Sequence, residues 1–355
     1  MNKELRTITA QDLLKKEFPD LFYAVDNMLP TGSAILAAPA KTGKSWMMLQ
    51  LSIAVASGGY FMGRKCNKCH VLYLALEDSE RRLSNRLLKS LNGRAIPEGL
   101  RFVTDAPIIG QGFIETIKKE LEADPLLKLI IVDTLQKVKP PSNAKKTAYE
   151  QDYQLFGEIS RTAKENDFCF VFLHHLRKTN GIKGDPFENI LGSTALQGST
   201  DTMMVMEREE RTKSEATLHI TGRDIEPQDL DIEFKNYQWE SLGDHETVQR
   251  MRLEAEYNKN PAIITIKKKL AEIEADKSEP LKEYIVRAKD LRQDIVTETG
   301  QVIGTSEKNL MAIVKSYMPL LLQDGIQIIE PEPKKTTTYK NKQGRFYKIK
   351  RYKSK

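Results

Sequence analysis

Apolar residues in this chain fall into short dense runs, separated by longer segments in which they recur every third or fourth position. Residues 33–37 (SAILA), 70–76 (HVLYLAL), 126–133 (LLKLIIVD) and 168–174 (FCFVFLH) are near-continuous apolar stretches of strand length, the pattern of strands buried on both faces. Residues 202–206 (TMMVM) and 216–221 add two more strands. Between them, residues 46–57, 79–91, 113–121 and 149–166 read as helices, the first closed by Gly58 and Gly59. This alternation predicts a mainly parallel α/β sheet with helices on both sides. Residues 9–18 predict a short amphipathic helix packed outside it, and residues 29–32 (LPTG) a turn into the first strand. Beyond residue 221 the sequence is acid-rich and turn-like.

The character changes near Gly243. Residues 263–275, 287–296 and 306–322 predict helices, and residues 326–330 and 346–351 predict two strands around a Lys-rich connection at 334–344. Helices followed by a strand pair with a basic loop point to a winged helix-turn-helix. The expected organisation is an α/β domain over residues 1–245 and a small winged-helix-like domain over residues 246–355.

Charge sharpens that division. Of the +6 net charge over 355 residues, residues 246–355 carry 23 Lys and Arg against 15 Asp and Glu, leaving residues 1–245 at −2. The last 22 residues hold ten Lys or Arg and no acid. This asymmetry points to a nucleic-acid partner, with a solvated basic tail as the plainer alternative. No apolar run approaches the roughly 20 residues of a membrane span, and Met1 to Arg6 lacks the hydrophobic core of a signal peptide. Three cysteines argue for a reducing, cytoplasmic setting. Cys66, Cys69 and His70 supply too few ligands for a closed zinc site, and a surface hairpin is expected there.

The densest chemical signal is Ala38-Pro39-Ala40-Lys41-Thr42-Gly43-Lys44-Ser45, followed by Trp46. It fits the eight-residue phosphate-loop pattern, with Ala38 where the first glycine is usual, and it lies between a predicted strand and a predicted helix. Backbone N–H groups of such a loop and helix N-terminus wrap phosphates. Lys44 reaches the β- and γ-phosphates and Ser45 ligates Mg²⁺. The expected ligands are therefore ATP and Mg²⁺.

Ligands of an open α/β sheet sit beyond the C-terminal strand ends, so the residues at those ends carry the candidate chemistry. Residues 130–133 (IIVD) form a Walker B pattern in which Asp133 holds Mg²⁺. Glu77 is placed to polarise the attacking water, although Asp78 or Ser79 would cap the next helix in any case. Of His174 and His175, alternation lets one face the nucleotide as a γ-phosphate sensor. Arg223 is a candidate arginine finger for a neighbouring subunit, with Arg208 and Arg211 as rivals.

Taken in order, these elements resemble the RecA-like ATPases of the RepA hexameric replicative helicase group, the AAA-domain ATPases of plasmids and phages. The resemblance rests on residues 29–32 (LPTG), 40–46 (AKTGKSW), 73–78 (YLALED), 131–134 (IVDT), 174–178 (HHLRK), 192–201 (GSTALQGSTD) and 222–224 (GRD), within roughly residues 29–235. It implies a RecA-like P-loop fold, water activation by Glu77, γ-phosphate sensing by His175 and action of Arg223 across a subunit interface. Ala38 departs from the group's glycine. Thr221 stands where the group carries a second basic residue, two before the finger.

Two lysine- or glycine-bearing segments follow the strand ends. They are residues 137–146 (KVKPPSNAKK), bounded by Lys137 and Lys146, and residues 177–189 (RKTNGIKGDPFEN), bounded by Arg177 and Asn189. Both are candidate contacts for single-stranded DNA. In the C-terminal part, residues 306–317 with Lys308, Asn309 and Lys315 would be a recognition helix. Lys334, Lys335, Lys340, Lys342 and Arg345 would form a wing on phosphates, unless the domain docks a protein instead. The leading expectation is an Mg²⁺-dependent, ring-forming ATPase, a hexameric replicative helicase of a mobile element or phage. The alternatives are a DNA-bound ATP switch such as a helicase loader or recombination mediator, and a regulator.

Overall fold

The computed structural model describes residues 7–141, 146–176, 184–190, 194–208, 210, 212–278, 282–304, 306–331, 336–340 and 342–351. They form two compact units, Met1–His245 and Glu246–Lys355.

The first unit is built on one sheet. Its strands are β1 (Gly32–Ala38), β2 (His70–Ala75), β3 (Leu100–Val103), β4 (Leu127–Asp133), β5 (Cys169–His175), β6 (Thr202–Glu207), β7 (Glu215–Gly222), β8 (Gln228–Lys235) and β9 (Gln238–Asp244). They lie in the order β9-β8-β7-β6-β1-β5-β4-β2-β3. Neighbours from β6 to β3 are parallel, and β7, β8 and β9 extend the sheet antiparallel. Helices α1 (Ala10–Leu14), α2 (Lys44–Ser57), α3 (Glu80–Leu91), α4 (Phe113–Ala123), α5 (Leu135–Val138), α6 (Ala148–Glu165) and α7 (Thr194–Ser199) complete the unit.

Strand residues point alternately to two layers. Leu36, Tyr73, Ile131 and Val171 share one core with Met47, Met48 and Leu51 of α2. Ile35, Leu74, Val132 and Phe172 share the other with Phe113 of α4 and Phe156 and Ile159 of α6. Helix ends follow local chemistry. Thr147 and Glu150 form a capping box at the start of α6, and Gly58 ends α2 at φ +69°, a conformation a Cβ would penalise.

Several expectations need correction. The segment at 9–18 forms only the five-residue α1, none of it buried. A helix that short has no stability of its own, and Leu14 is exposed. The acid-rich sequence beyond residue 221 holds the hairpin β8–β9. Its acids are tolerated because they meet partners on neighbouring elements, Asp229 with His219 at 2.8 Å and Asp231 with Thr217 at 3.1 Å and His245 at 2.7 Å. Its turn puts Asn236 and Tyr237 at positive φ, the two-residue hairpin geometry without the usual glycine. The short edge strand β3 likewise has no counterpart among the predicted elements. A small hairpin pairs Tyr60–Phe61 with Arg64–Lys65, but Cys66 and Cys69 beyond it are buried and belong to the core, not the surface.

The second unit contains α8 (His245–Lys259, entering from the first), α9 (Pro261–Ala275), β10 (Glu283–Val286), α10 (Ala288–Thr299), α11 (Glu307–Ser316), α12 (Met318–Gln323), β11 (Ile326–Ile329) and β12 (Tyr347–Arg351). The strands form an antiparallel sheet in the order β10-β12-β11. Leu270, Leu291, Ile295, Leu310, Val314 and Ile349 form its core. The single helix expected over 306–322 is two, because Pro319 in the first turn of α12 has no N–H to continue a helix. Among the described residues no helix is long and apolar enough to cross a membrane.

Candidate nucleotide-binding site

The phosphate loop connects β1 to α2. Ala38 closes β1 fully buried and takes no positive φ, so alanine fits where glycine is usual. The turn is made farther on, by Lys41 at φ +63° and Gly43 at φ +101°. Thr42 ties it down, its hydroxyl donating to the Pro39 carbonyl at 2.8 Å. A Cβ on Gly43 would stand 3.1 Å from the Trp239 ring, whose Nε1 donates to the Gly43 carbonyl at 3.2 Å. Gln50 exchanges two hydrogen bonds of 2.8 Å with the Trp239 backbone. Strand β9, absent from the predicted elements, thus braces the loop from below.

One cleft of about 460 Å³ gathers Ala40, Lys41, Thr42, Gly43, Lys44, Ser45 and Trp46 from the loop and α2, with Glu77, Asp133 and His175 from the ends of β2, β4 and β5. Ala38 and Pro39 lie behind it, and their carbonyls accept from Lys44 Nζ at 2.9 and 3.0 Å. Ser45 and Tyr73 hydroxyls donate to Asp133, Tyr73 at 2.9 Å. The Thr134 hydroxyl donates to Glu77 Oε1 at 3.1 Å. Asp78 is bound instead to Arg82 and Arg86. His174 is buried, while its neighbour His175 opens on the cleft, as alternation requires.

Electrostatics follow from burial. Desolvation pulls the Lys44 ammonium down to about 8, although Asp133 and Glu77 favour its charge. Burial pushes the Asp133 carboxyl above its ordinary value against the hydrogen bonds from Ser45 and Tyr73, with Glu77 and Asp78 adding repulsion. Burial and the Lys44 charge lower the His175 imidazole, with Glu77 opposing, so it is neutral at physiological pH. A buried carboxylate beside a hydroxyl and further carboxylates is an oxygen-donor set suited to a small divalent cation, whose charge would relieve that repulsion.

A pH test follows. Only the ammonium form of Lys44 attracts phosphate, so ATP affinity should be full below about pH 8 and fall above it, by up to about tenfold per unit, with proton uptake on binding. Titrating a fluorescent ATP analogue between about pH 7 and about pH 10 checks this; a flat profile would contradict it.

Other residues reach the site without any motif to mark them. Arg86 and Phe234 also line the cleft; Arg86 lies over the Trp46 ring at 5.6 Å. Arg208 faces its own chain's cleft, over Trp239 at 5.1 Å. Arg223 is not in the cleft: it sits beyond β7, its Nη2 donating to the Gly198 carbonyl at 2.6 Å. Arg211 lies outside the described residues. So do residues 142–145 and 177–183 of the two loops and Lys334 and Lys335 of the wing. Of the rest, Lys139 is paired to buried Asp152 at 2.5 Å, Lys315 to Glu330 at 2.7 Å and Lys342 to Asp290 at 3.5 Å.

A phosphate loop between the first strand and first core helix of a mostly parallel sheet, facing a Walker B aspartate, defines a P-loop fold of RecA-like type. The AAA domain family matches residues 2–181, about half of the chain, and the chain belongs to that family. Among solved structures, a DnaB-like replicative helicase, described with its interactions with primase, superposes with a TM-score of 0.50 at 13% identity. That match covers 65% of this chain and 66% of that one. A second solved structure, described as an ATPase domain, gives a TM-score of 0.48 at 14% identity over 60% of this chain and 85% of that one.

Proposed function

We propose that this chain is an Mg²⁺-dependent ATPase of the RepA-like group that assembles as a ring, probed first as a hexamer, and acts on DNA in replication of a mobile element or phage. The observation that carries this reading is the convergence of Lys44, Ser45, Asp133, Glu77 and His175 on one cleft. Lys44 would leave the carbonyls of Ala38 and Pro39 for the β- and γ-phosphates of ATP. Ser45 and Asp133 would hold Mg²⁺, which neutralises phosphate charge when bound. Glu77, aligned by Thr134, takes a proton from water as its oxygen attacks the γ-phosphorus and the bond to the β-phosphate oxygen breaks. Neutral His175 donates a hydrogen bond to the γ-phosphate. Arg223, remote from its own cleft, serves a neighbour's. The setting is cytoplasmic.

For the C-terminal unit, the run α9, β10, α10, α11, α12, β11, β12 supports a winged helix-turn-helix that binds DNA or a protein. Among the described residues of the expected recognition helix and wing, Lys308 and Arg345 are exposed cations offered to phosphates. A second reading, an ATP switch that loads on DNA without unwinding it, is favoured by the ion pairs that occupy Lys139, Lys315 and Lys342.

ATP turnover is expected to rise severalfold with single-stranded DNA, and a ring-sized particle to form with a nonhydrolysable ATP analogue. Phosphate release and native mass check both. A monomer whose turnover ignores DNA would rule the motor out, and absence of strand displacement in a DNA-stimulated ring would leave the switch.

A further inference from the structure

At the start of β1, the far end from the phosphate loop, lies a second hollow of about 390 Å³ between α6 and the turn after β7. Gly157, Arg161 and Lys164 face it from α6, at the i, i+4, i+7 spacing of one helix face, and Gly198 and Arg223 close the other side. A Cβ at Gly157 or Gly198 would meet nothing within 4 Å, so the floor is open. Its chemistry is set by Asp201, buried beneath it. Lys164 Nζ lies 2.6 Å from Asp201 Oδ1 and the Arg223 guanidinium 3.6 Å away. Arg223 is fixed twice more, by its N–H on the Asp201 carbonyl at 3.0 Å and by Gly198.

Asp201 therefore absorbs the Lys164 charge and sets the place of Arg223. Arg161 is left exposed, and among the described residues no hydrogen bond or ion pair engages it, even to Glu165 one turn on, an acid that lines the hollow. Two guanidiniums, one anchored and one free, on an open floor match an oligophosphate, which accepts several N–H donors at once.

We propose that Arg161 acts beside Arg223 on the phosphate tail held by an adjacent copy of this chain, so that the hollow is the second half of a composite ATP site. This rests on the reading of Arg223 as a trans-acting finger. Arg223 lines this hollow and not its own cleft, and Arg161 and Gly157 line the same hollow from α6. Thr221, the strand residue two before Arg223, offers no charge, and Arg161 supplies it from the helix instead.

Subunit mixing with full-length protein tests this. Arg161→Ala should lower kcat about tenfold and Arg223→Ala about 10³-fold in the assembled protein, while fluorescent ATP analogue binding to dilute, unassembled subunits stays within about twofold, since neither residue lines its own subunit's cleft. Lys44→Ala subunits lack a working cleft but keep the hollow, so mixing them with either variant should restore turnover. Arg161→Lys should retain most of the activity. Unchanged kcat in Arg161→Ala, or a loss that mixing does not rescue while Arg223→Ala is rescued, would overturn the role of Arg161 alone. Full turnover in Arg223→Ala would overturn the finger reading and this inference with it. Both side chains are exposed, and matching melting curves would separate lost chemistry from lost folding.

Discussion

Glu77→Gln should bind ATP as the parent chain does and hydrolyse it about 10³-fold more slowly. The substitution keeps shape, and the amide carbonyl can still accept from Thr134, which now donates to Glu77 Oε1 at 3.1 Å. What is lost is the anion that takes the water proton. Among the described residues no neighbour replaces it: Asp133 is buried under Ser45 and Tyr73, and Asp78 is engaged by Arg82 and Arg86. Binding of a fluorescent analogue and phosphate release would be measured together. Turnover within tenfold of the parent would remove Glu77 from the chemistry, whereas lost binding would mean that it orders the cleft.

Asp201→Ala should destabilise the first unit by about 3 kcal/mol. One carboxylate oxygen accepts from the Ser33 N–H at 3.0 Å, the Ser33 hydroxyl at 3.1 Å and the Ser160 hydroxyl at 2.5 Å. Removing it strands a buried backbone donor and two hydroxyls. Lys164 is half-exposed and can turn to water, so its ion pair adds little. Gly32 is shaped to this carboxylate: at φ +126° a Cβ there would lie 2.7 Å from Asp201 Oδ2. A fall in Tm of roughly 10 °C is expected for a unit of this size. A change below about 2 °C would mean that water replaces the carboxylate.

The central strands, the phosphate loop and the ends of β2, β4 and β5 were legible because burial on both faces leaves little freedom in composition, and because phosphate binding restricts which residues serve. The hairpin β8–β9 was not. Its acids are stabilised by His219, Thr217 and His245, partners on other elements that no local pattern records. Residues 192–201 stood out as a motif, but nothing in them told that Asp201 reaches back to Ser33. Arg161 carried no signal at all, being one cation among many on a helix. Its surroundings come from α7 and the turn after β7, which only tertiary structure brings near α6. Conversely, the lysines read as a DNA-contacting set look freer in sequence than in space, where Lys139, Lys315 and Lys342 have acidic partners.

The brace beneath the phosphate loop has one more implication. The chain has two tryptophans, and both belong to this neighbourhood: Trp46 lines the cleft against Tyr237 at 5.1 Å, and Trp239 hydrogen-bonds Gly43. Indole emission therefore reports on the nucleotide pocket and on no other part of the molecule. An emission change on adding ATP would read occupancy with neither a label nor an engineered residue, and the C-terminal unit, which holds no tryptophan, is silent in that channel.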